Sequence, residues 1–399
     1  VTLRPDALIL PDGTLERGLE VCLENGVISE IRKWTSPYRE ERDLWLSPAF
    51  VNAHSHLEYY DLMHRVPLGD YWGFLEAITA LKPTRPPERI AQFSLRAGHE
   101  NRRTGVTVLG EWSDFPVSGA SMRQAGLKGH IFQEVITFYE HQDPTEKLHR
   151  IKERAQHNAE ASGLPVHLAP HTLFTTTEKI LRHLGETQTM ISIHIAESQY
   201  EVSFLLEGKG PIADFYQKHH IPFEVPGELP LVFLHKLGLL HDRTQLVHAC
   251  ALSPEEINLI ASRGASVVHC PRSNQNLQCP PAPVAQMLSR GIRVGLGMDS
   301  PASSGEIDFF AEMRAALKVA EMRGEPLKPE QVWQMATEGG AQSLQCPTPW
   351  RLQPGASPDL ILIDGRDCEN IGDLIQKGQP SRIRKVLSFP PGKPNDASG

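Results

Sequence analysis

Histidines carry the chemistry that this sequence can do. His54 and His56 stand one residue apart at the end of the apolar run 44–51. On a strand, residues i and i+2 point to the same side, so both imidazoles face one point. Neutral imidazole is the commonest side-chain metal ligand. A lone His-x-His is more often surface decoration, so the reading needs further ligands at other strand ends. They follow in order: His194 and Glu197, then His248, then His269, then Asp299. Such a cluster left unpaired in an apolar core would be costly, and a metal ion removes that cost. Three imidazoles and one carboxylate suit Zn²⁺ with room for water; Fe²⁺ or Mn²⁺ take the same ligand types.

These residues need elements that deliver them to one place. Apolar runs at 46–53, 106–110, 129–136, 166–169, 190–195, 245–247, 265–269 and 292–297 read as strands. Helical patterns at 90–103, 145–162, 177–184, 254–263, 282–290 and 307–323 fill most of the gaps. The alternation predicts an α/β protein, a closed (β/α)8 TIM barrel of roughly 300 residues whose strand ends share one mouth. Continuous apolar strands suit a parallel sheet covered on both faces. No Gly-x-Gly-x-x-Gly follows the first strand, so an open doubly wound sheet lacks its usual support. Short strands at 6–13, 20–23 and 27–31, with Asn25-Gly26 as a hairpin turn, mirror runs at 359–365 and 383–389. Both ends are expected to build one small β-unit. The expected division is 1–45 and 351–390 for that unit, 46–350 for the barrel and 391–399 for a tail. Two insertions, 61–87 with Tyr71, Trp72 and Phe74, and 208–241, are expected to shape the pocket.

Composition narrows the partners. The 399 residues are 40% hydrophobic, with a formal net charge of −8 and no basic stripe. A nucleic-acid backbone is therefore not an expected partner. No stretch of about 18 apolar residues and no charged-then-apolar leader occurs, so no membrane is expected and the cytoplasm is the default location. Six scattered cysteines without a Cys-x-x-Cys pair read as reduced thiols.

Five pieces together resemble the amidohydrolase superfamily, in its cytosine-deaminase and chlorohydrolase-like branch. They are Asn52-Ala53-His54-Ser55-His56-Leu57, His194-Ile195-Ala196-Glu197, Val247-His248-Ala249-Cys250, His269-Cys270-Pro271-Arg272-Ser273-Asn274 and Gly297-Met298-Asp299-Ser300. The resemblance implies one divalent metal on His54, His56, His194 and Asp299. It makes Glu197 and His248 the proton-handling pair, with Asp299 collecting the proton of the attacking water. It places His171 beside the substrate and matches the terminal strands to a small β-sandwich. Bimetallic relatives need a bridging carboxylate, often a modified Lys, at strand four; 166–171 holds no Lys, so one metal is favoured. Relatives are often homodimers, and no stretch here marks an interface.

The resemblance implies hydrolytic deamination of an aminopurine nucleoside, a small molecule. Arg272, Ser273 and Asn274, with Leu277 and Cys279 following, resemble the aminodeoxyfutalosine deaminases of menaquinone biosynthesis. His269, Arg272 and Asn274 are then expected at the substrate, with Arg272 as the guanidinium for its benzoate. The alternatives are a methylthioadenosine, S-adenosylhomocysteine or adenosine deaminase, and a chlorohydrolase-like enzyme acting on triazine, guanine or cytosine. A reading of another class is a metal-stabilised binding subunit without catalysis. Glu197 and His248, neither needed merely to hold metal, argue against it.

Overall fold

The apolar run read as one strand at 46–53 is two. A computed structural model describes residues 1–35, 41–187 and 189–388. In it, Glu41–Pro48 and Phe50–Ser55 belong to different sheets. The change falls at Ala49, whose N–H donates to the Asp359 carbonyl at 2.9 Å while its own carbonyl accepts from Trp350 Nε1 at 2.7 Å. An unbroken apolar run does not record such a switch, because residues on both sides of it are buried.

From Phe50 onward eight strands run parallel: Phe50–Ser55, Val106–Ser113, Lys128–Val135, Val166–Pro170, Ile191–Ile195, Thr244–His248, Ser266–His269 and Val294–Leu296. They form two four-stranded sheets, each in chain order. Backbone bonds join the sheets at two seams. His194 N–H donates to the His171 carbonyl at 3.1 Å. Met298 and Asp299 N–H both donate to the His54 carbonyl at 3.0 Å. The Asn52 side chain strengthens the second seam by accepting from Met298 N–H at 3.0 Å.

Helices cover the strands, each through one apolar face. Glu178–Thr187, for example, buries Ile180, Leu181 and Leu184. Phe309–Met322 starts where Asp308 accepts from Phe310 and Ala311 N–H, two residues later than the pattern predicts. The pattern misses Pro329–Gln334, the π-turn Met335–Gly339 and Gly340–Ser343. That stretch leans on strand ends so closely that a Cβ at Gly339 would lie 2.2 Å from the Val294 carbonyl oxygen. Its glycines weaken the helical signal and are what the close approach requires.

Both termini build the second unit. A three-stranded sheet holds Thr2–Leu3, Leu19–Glu24 and Val27–Lys33; a five-stranded sheet runs Ile383–Leu387, Leu360–Asp364, Glu41–Pro48, Pro5–Ile9 and Leu15–Arg17. Asn25 and Gly26 take φ of 51° and 76°, as a tight hairpin turn requires. Leu3, Val21 and Ile28 from one sheet share an apolar cluster with Leu8, Leu46, Leu360 and Leu362 from the other. The helix Ile371–Lys377 within the C-terminal part was not legible as such. The expected tail, 391–399, lies outside the described residues. Among the described residues no helix is long and apolar enough to cross a membrane.

Phe50 anchors the packing. Its ring lies 5.2 Å from Phe309, 5.6 Å from Phe310 and 5.3 Å from Trp333, and it is fully buried. Phe50→Ala should cost about 3–5 kcal/mol, read as a lower urea midpoint at unchanged slope.

Candidate active site

Three strand ends meet at one buried point. His54 and His56 come from the first parallel strand, His194 from the fifth, and Asp299 follows the eighth. His54 Nε2 lies 3.2 Å from His194 Nε2 and 3.3 Å from Asp299 Oδ1; His56 Nε2 lies 3.5 Å from the same oxygen. His54, His194 and His248 bring their ligand atoms within 4.8 Å of one another, and so do Glu197, His248 and Asp299.

The surroundings aim these atoms. His194 Nδ1 lies 3.0 Å from the His171 carbonyl, so Nδ1 carries the proton and Nε2 turns a lone pair to the cluster. Asp299 Oδ2 accepts from Ser273 Oγ at 2.5 Å and Ser303 Oγ at 3.0 Å, which leaves Oδ1 toward the histidines. The Trp112 ring lies 4.1 Å from the His194 ring and its Nε1 donates to Ser192 Oγ. Ala196, His248, Ala249 and Asp299 all have positive φ, between 48° and 72°. Such conformations are costly for residues with a Cβ and concentrate at functional sites.

Burial sets the charges. It pushes the His56 and His194 pKa well below the ordinary value and takes His248 down to about 4, with neighbouring imidazoles adding to the effect. Burial pushes Glu197 well above the carboxylate range, helped by the charges of Asp299 and Glu201. Burial alone would raise Asp299 too, but the His54 hydrogen bond and the imidazoles of His248 and His56 hold it well below. The result is neutral imidazoles at His56, His194 and His248, an ionised Asp299, and a Glu197 that holds its proton more tightly than an ordinary carboxyl. Imidazole lone pairs beside a carboxylate are a donor set that fits a divalent cation.

A cavity of about 510 Å³ opens over this cluster, within the range of small-molecule sites. His56, His171, His194, Glu197, His248 and Asp299 line its polar floor. Tyr71, Trp72 and Phe74 line it from the helix Tyr71–Leu81, and Phe215 and Tyr216 from Pro211–Lys218, one helix from each sequence-read insertion. Trp72 meets Phe215 at 5.7 Å, so the two insertions touch.

Three expected substrate residues lie off this surface. Asn274 holds His248 Nδ1 through Nδ2 at 2.9 Å and does not line the cavity. His269 is buried, with neither ring nitrogen hydrogen-bonded. Arg272 points elsewhere: its Nη1 donates to the Glu306 carbonyl at 2.8 Å and lies 3.4 Å from Glu312 Oε1. The helix Pro271–Asn276 carries the arginine away from the mouth, a turn that strand-end reasoning does not anticipate. The structure instead brings Lys82, Asp114, Glu134, Lys147 and Arg154 to the cavity wall. Asp114 and Glu134 were legible in principle, since they sit at the ends of Val106–Ser113 and Lys128–Val135. Lys82, Lys147 and Arg154 come from insertion and helix and carry no local signal.

Adding Zn²⁺ to metal-free protein should raise its melting temperature. His194→Ala should abolish most of that rise, measured by calorimetry; an undiminished rise would remove His194 from the donor set.

Comparison with known proteins gives the family of the chain. Residues 45–388 match the Amidohydrolase family. A 5-methylthioadenosine/S-adenosylhomocysteine deaminase of Nitratidesulfovibrio vulgaris is 30% identical over 334 residues, covering 79% of this chain and 71% of its own. The solved structure of an adenosine deaminase from Xanthomonas campestris with bound zinc superimposes with a TM-score of 0.81 at 23% identity, covering 97% of this chain and 91% of its own. An aminofutalosine deaminase from Helicobacter pylori gives 0.81 at 18% identity, covering 96% and 97%. The last two are likenesses of fold, of the (β/α)8 type. The extent of the family match and the first relative's identity place this chain in the amidohydrolase family, as a hydrolase acting on carbon–nitrogen bonds.

Proposed function

We propose that the chain is a metal-dependent deaminase that releases ammonia from an aminopurine nucleoside, with 6-amino-6-deoxyfutalosine as its substrate. One observation carries the reading: a buried Glu197, its carboxyl pushed well above the ordinary range, beside a His/Asp donor cluster on the floor of a cavity. The names of the three similar proteins support a nucleoside. The 30% identical relative makes methylthioadenosine or S-adenosylhomocysteine the second choice. The reading includes a closed barrel, expected over 46–350 and beginning at Phe50 once Glu41–Pro48 is given to the other sheet, and a β-sandwich from both termini.

His54, His56, His194 and Asp299 would hold one divalent ion, with Zn²⁺ the first choice for such donors. When bound, it supplies Lewis acidity that lowers the pKa of a water toward about 7. Glu197 gives its proton to the ring nitrogen next to the carbon that bears the amino group, so charge does not build on the ring. His248, held at Nδ1 by Asn274, turns Nε2 to within 3.5 Å of Glu197 Oε1 and hydrogen-bonds the developing oxyanion. Asp299 takes up a proton at Oδ1 while Ser273 and Ser303 fix its other oxygen. Lys147 and Arg154, rather than Arg272 or Lys82 with its two carboxylate partners, are the cavity-wall cations that would meet a substrate carboxylate.

Glu197→Gln should keep the metal and lose roughly 10²–10⁴-fold in turnover, followed as ammonia release from aminodeoxyfutalosine, methylthioadenosine, S-adenosylhomocysteine, adenosine, guanine and cytosine. Near-normal turnover with metal retained would remove Glu197 from proton transfer. Preference for guanine or cytosine over every nucleoside would overturn the substrate class.

A further inference from the structure

Beside the donor cluster the cavity wall carries a run of alternating charges. Glu134 Oε1 lies 3.7 Å from His56 Nδ1, and Glu134 Oε2 lies 3.3 Å from Lys82 Nζ. Lys82 Nζ lies 3.4 Å from Asp114 Oδ2, and Arg154 donates to Asp114 Oδ1 at 3.0 Å. The Glu134 side chain is 2% exposed and that of Lys82 19%. All four charged residues line the same cavity as Glu197.

Burying such charges costs more than an apolar wall of the same shape would. Their ligand chemistry follows from their pairing. Lys82 already faces two carboxylates, so a third from a ligand would meet repulsion. A cationic ligand would meet the ammonium. A hydroxyl suits both partners, because it donates to a carboxylate and accepts from an ammonium at once. Two adjacent hydroxyls match two carboxylates with one ammonium between them.

We infer that Glu134, Lys82 and Asp114 form a subsite for the vicinal hydroxyls of a sugar, distinct from the residues that act on the base. The inference rests on the nucleoside reading and deepens it, since a free base has nothing to place there. Hydrogen bonds to charged, buried groups discriminate strongly against an analogue that leaves them unpaired.

The test compares adenosine with 2′,3′-dideoxyadenosine on the metal-loaded protein. Wild type should prefer adenosine in kcat/KM by on the order of 100-fold, mostly through KM. Glu134→Gln should bring that ratio close to one. A wild-type ratio near one, or a ratio unchanged in Glu134→Gln, overturns the subsite. The wild-type comparison needs no variant and stands if Glu134→Gln does not fold. If no nucleoside is deaminated, the nucleoside-deaminase reading fails. Calorimetric binding of the same two compounds then decides the subsite separately: tighter adenosine binding supports it, and equal or absent binding overturns it.

Discussion

Strand register is the constraint on which the structure depends. A one-residue slip turns every side chain of a strand to the opposite face. His54, His194 and Asp299 therefore meet only while the first, fifth and eighth parallel strands hold one alignment. The bonds from Met298 and Asp299 N–H to the His54 carbonyl fix the first against the eighth. The bond from His194 N–H to the His171 carbonyl fixes the fifth against the fourth. Gly297 keeps the seam tight, since a Cβ there would lie 2.9 Å from His54 Cβ and 2.7 Å from Val268 Cγ1.

Desolvation then does two jobs with one cause. It keeps the imidazoles of His56, His194 and His248 neutral, so their lone pairs stay available. It also pushes the Glu197 carboxyl well above the ordinary carboxylate range, so that it holds its proton more tightly. Asp299 escapes the same fate because several imidazoles and two serine hydroxyls surround its carboxylate. A donor set and a carboxyl that holds its proton tightly thus coexist a few ångströms apart. The insertions supply apolar walls to the cavity, with Trp72 and Phe215 in contact.

The parallel strands, most covering helices and the residues of the donor cluster were legible because they rest on local patterns: period-two and unbroken apolar runs, and His or Asp at strand ends. The switch of sheets at Ala49 was not, since an apolar run looks the same on either side of it. The helical stretch from Pro329 to Ser343 was hidden by the glycines that let it touch Val294 and Val51. Arg272 shows the limit for substrate contacts. Its neighbours in sequence reach the cluster, yet the helix it sits on directs its guanidinium to Glu306 and Glu312. Lys82 and Arg154 reach the cavity only through tertiary packing, which no local pattern encodes.

The central claim is that one cation is held by imidazole and carboxylate at this point. Elemental analysis joined to X-ray absorption at the metal edge, on protein purified without chelators and reconstituted, tests it directly. The account predicts one metal per chain, with nitrogen and oxygen neighbours and an imidazole signature. Failure to reach stoichiometric metal, or ligation by cysteine sulfur, would contradict it.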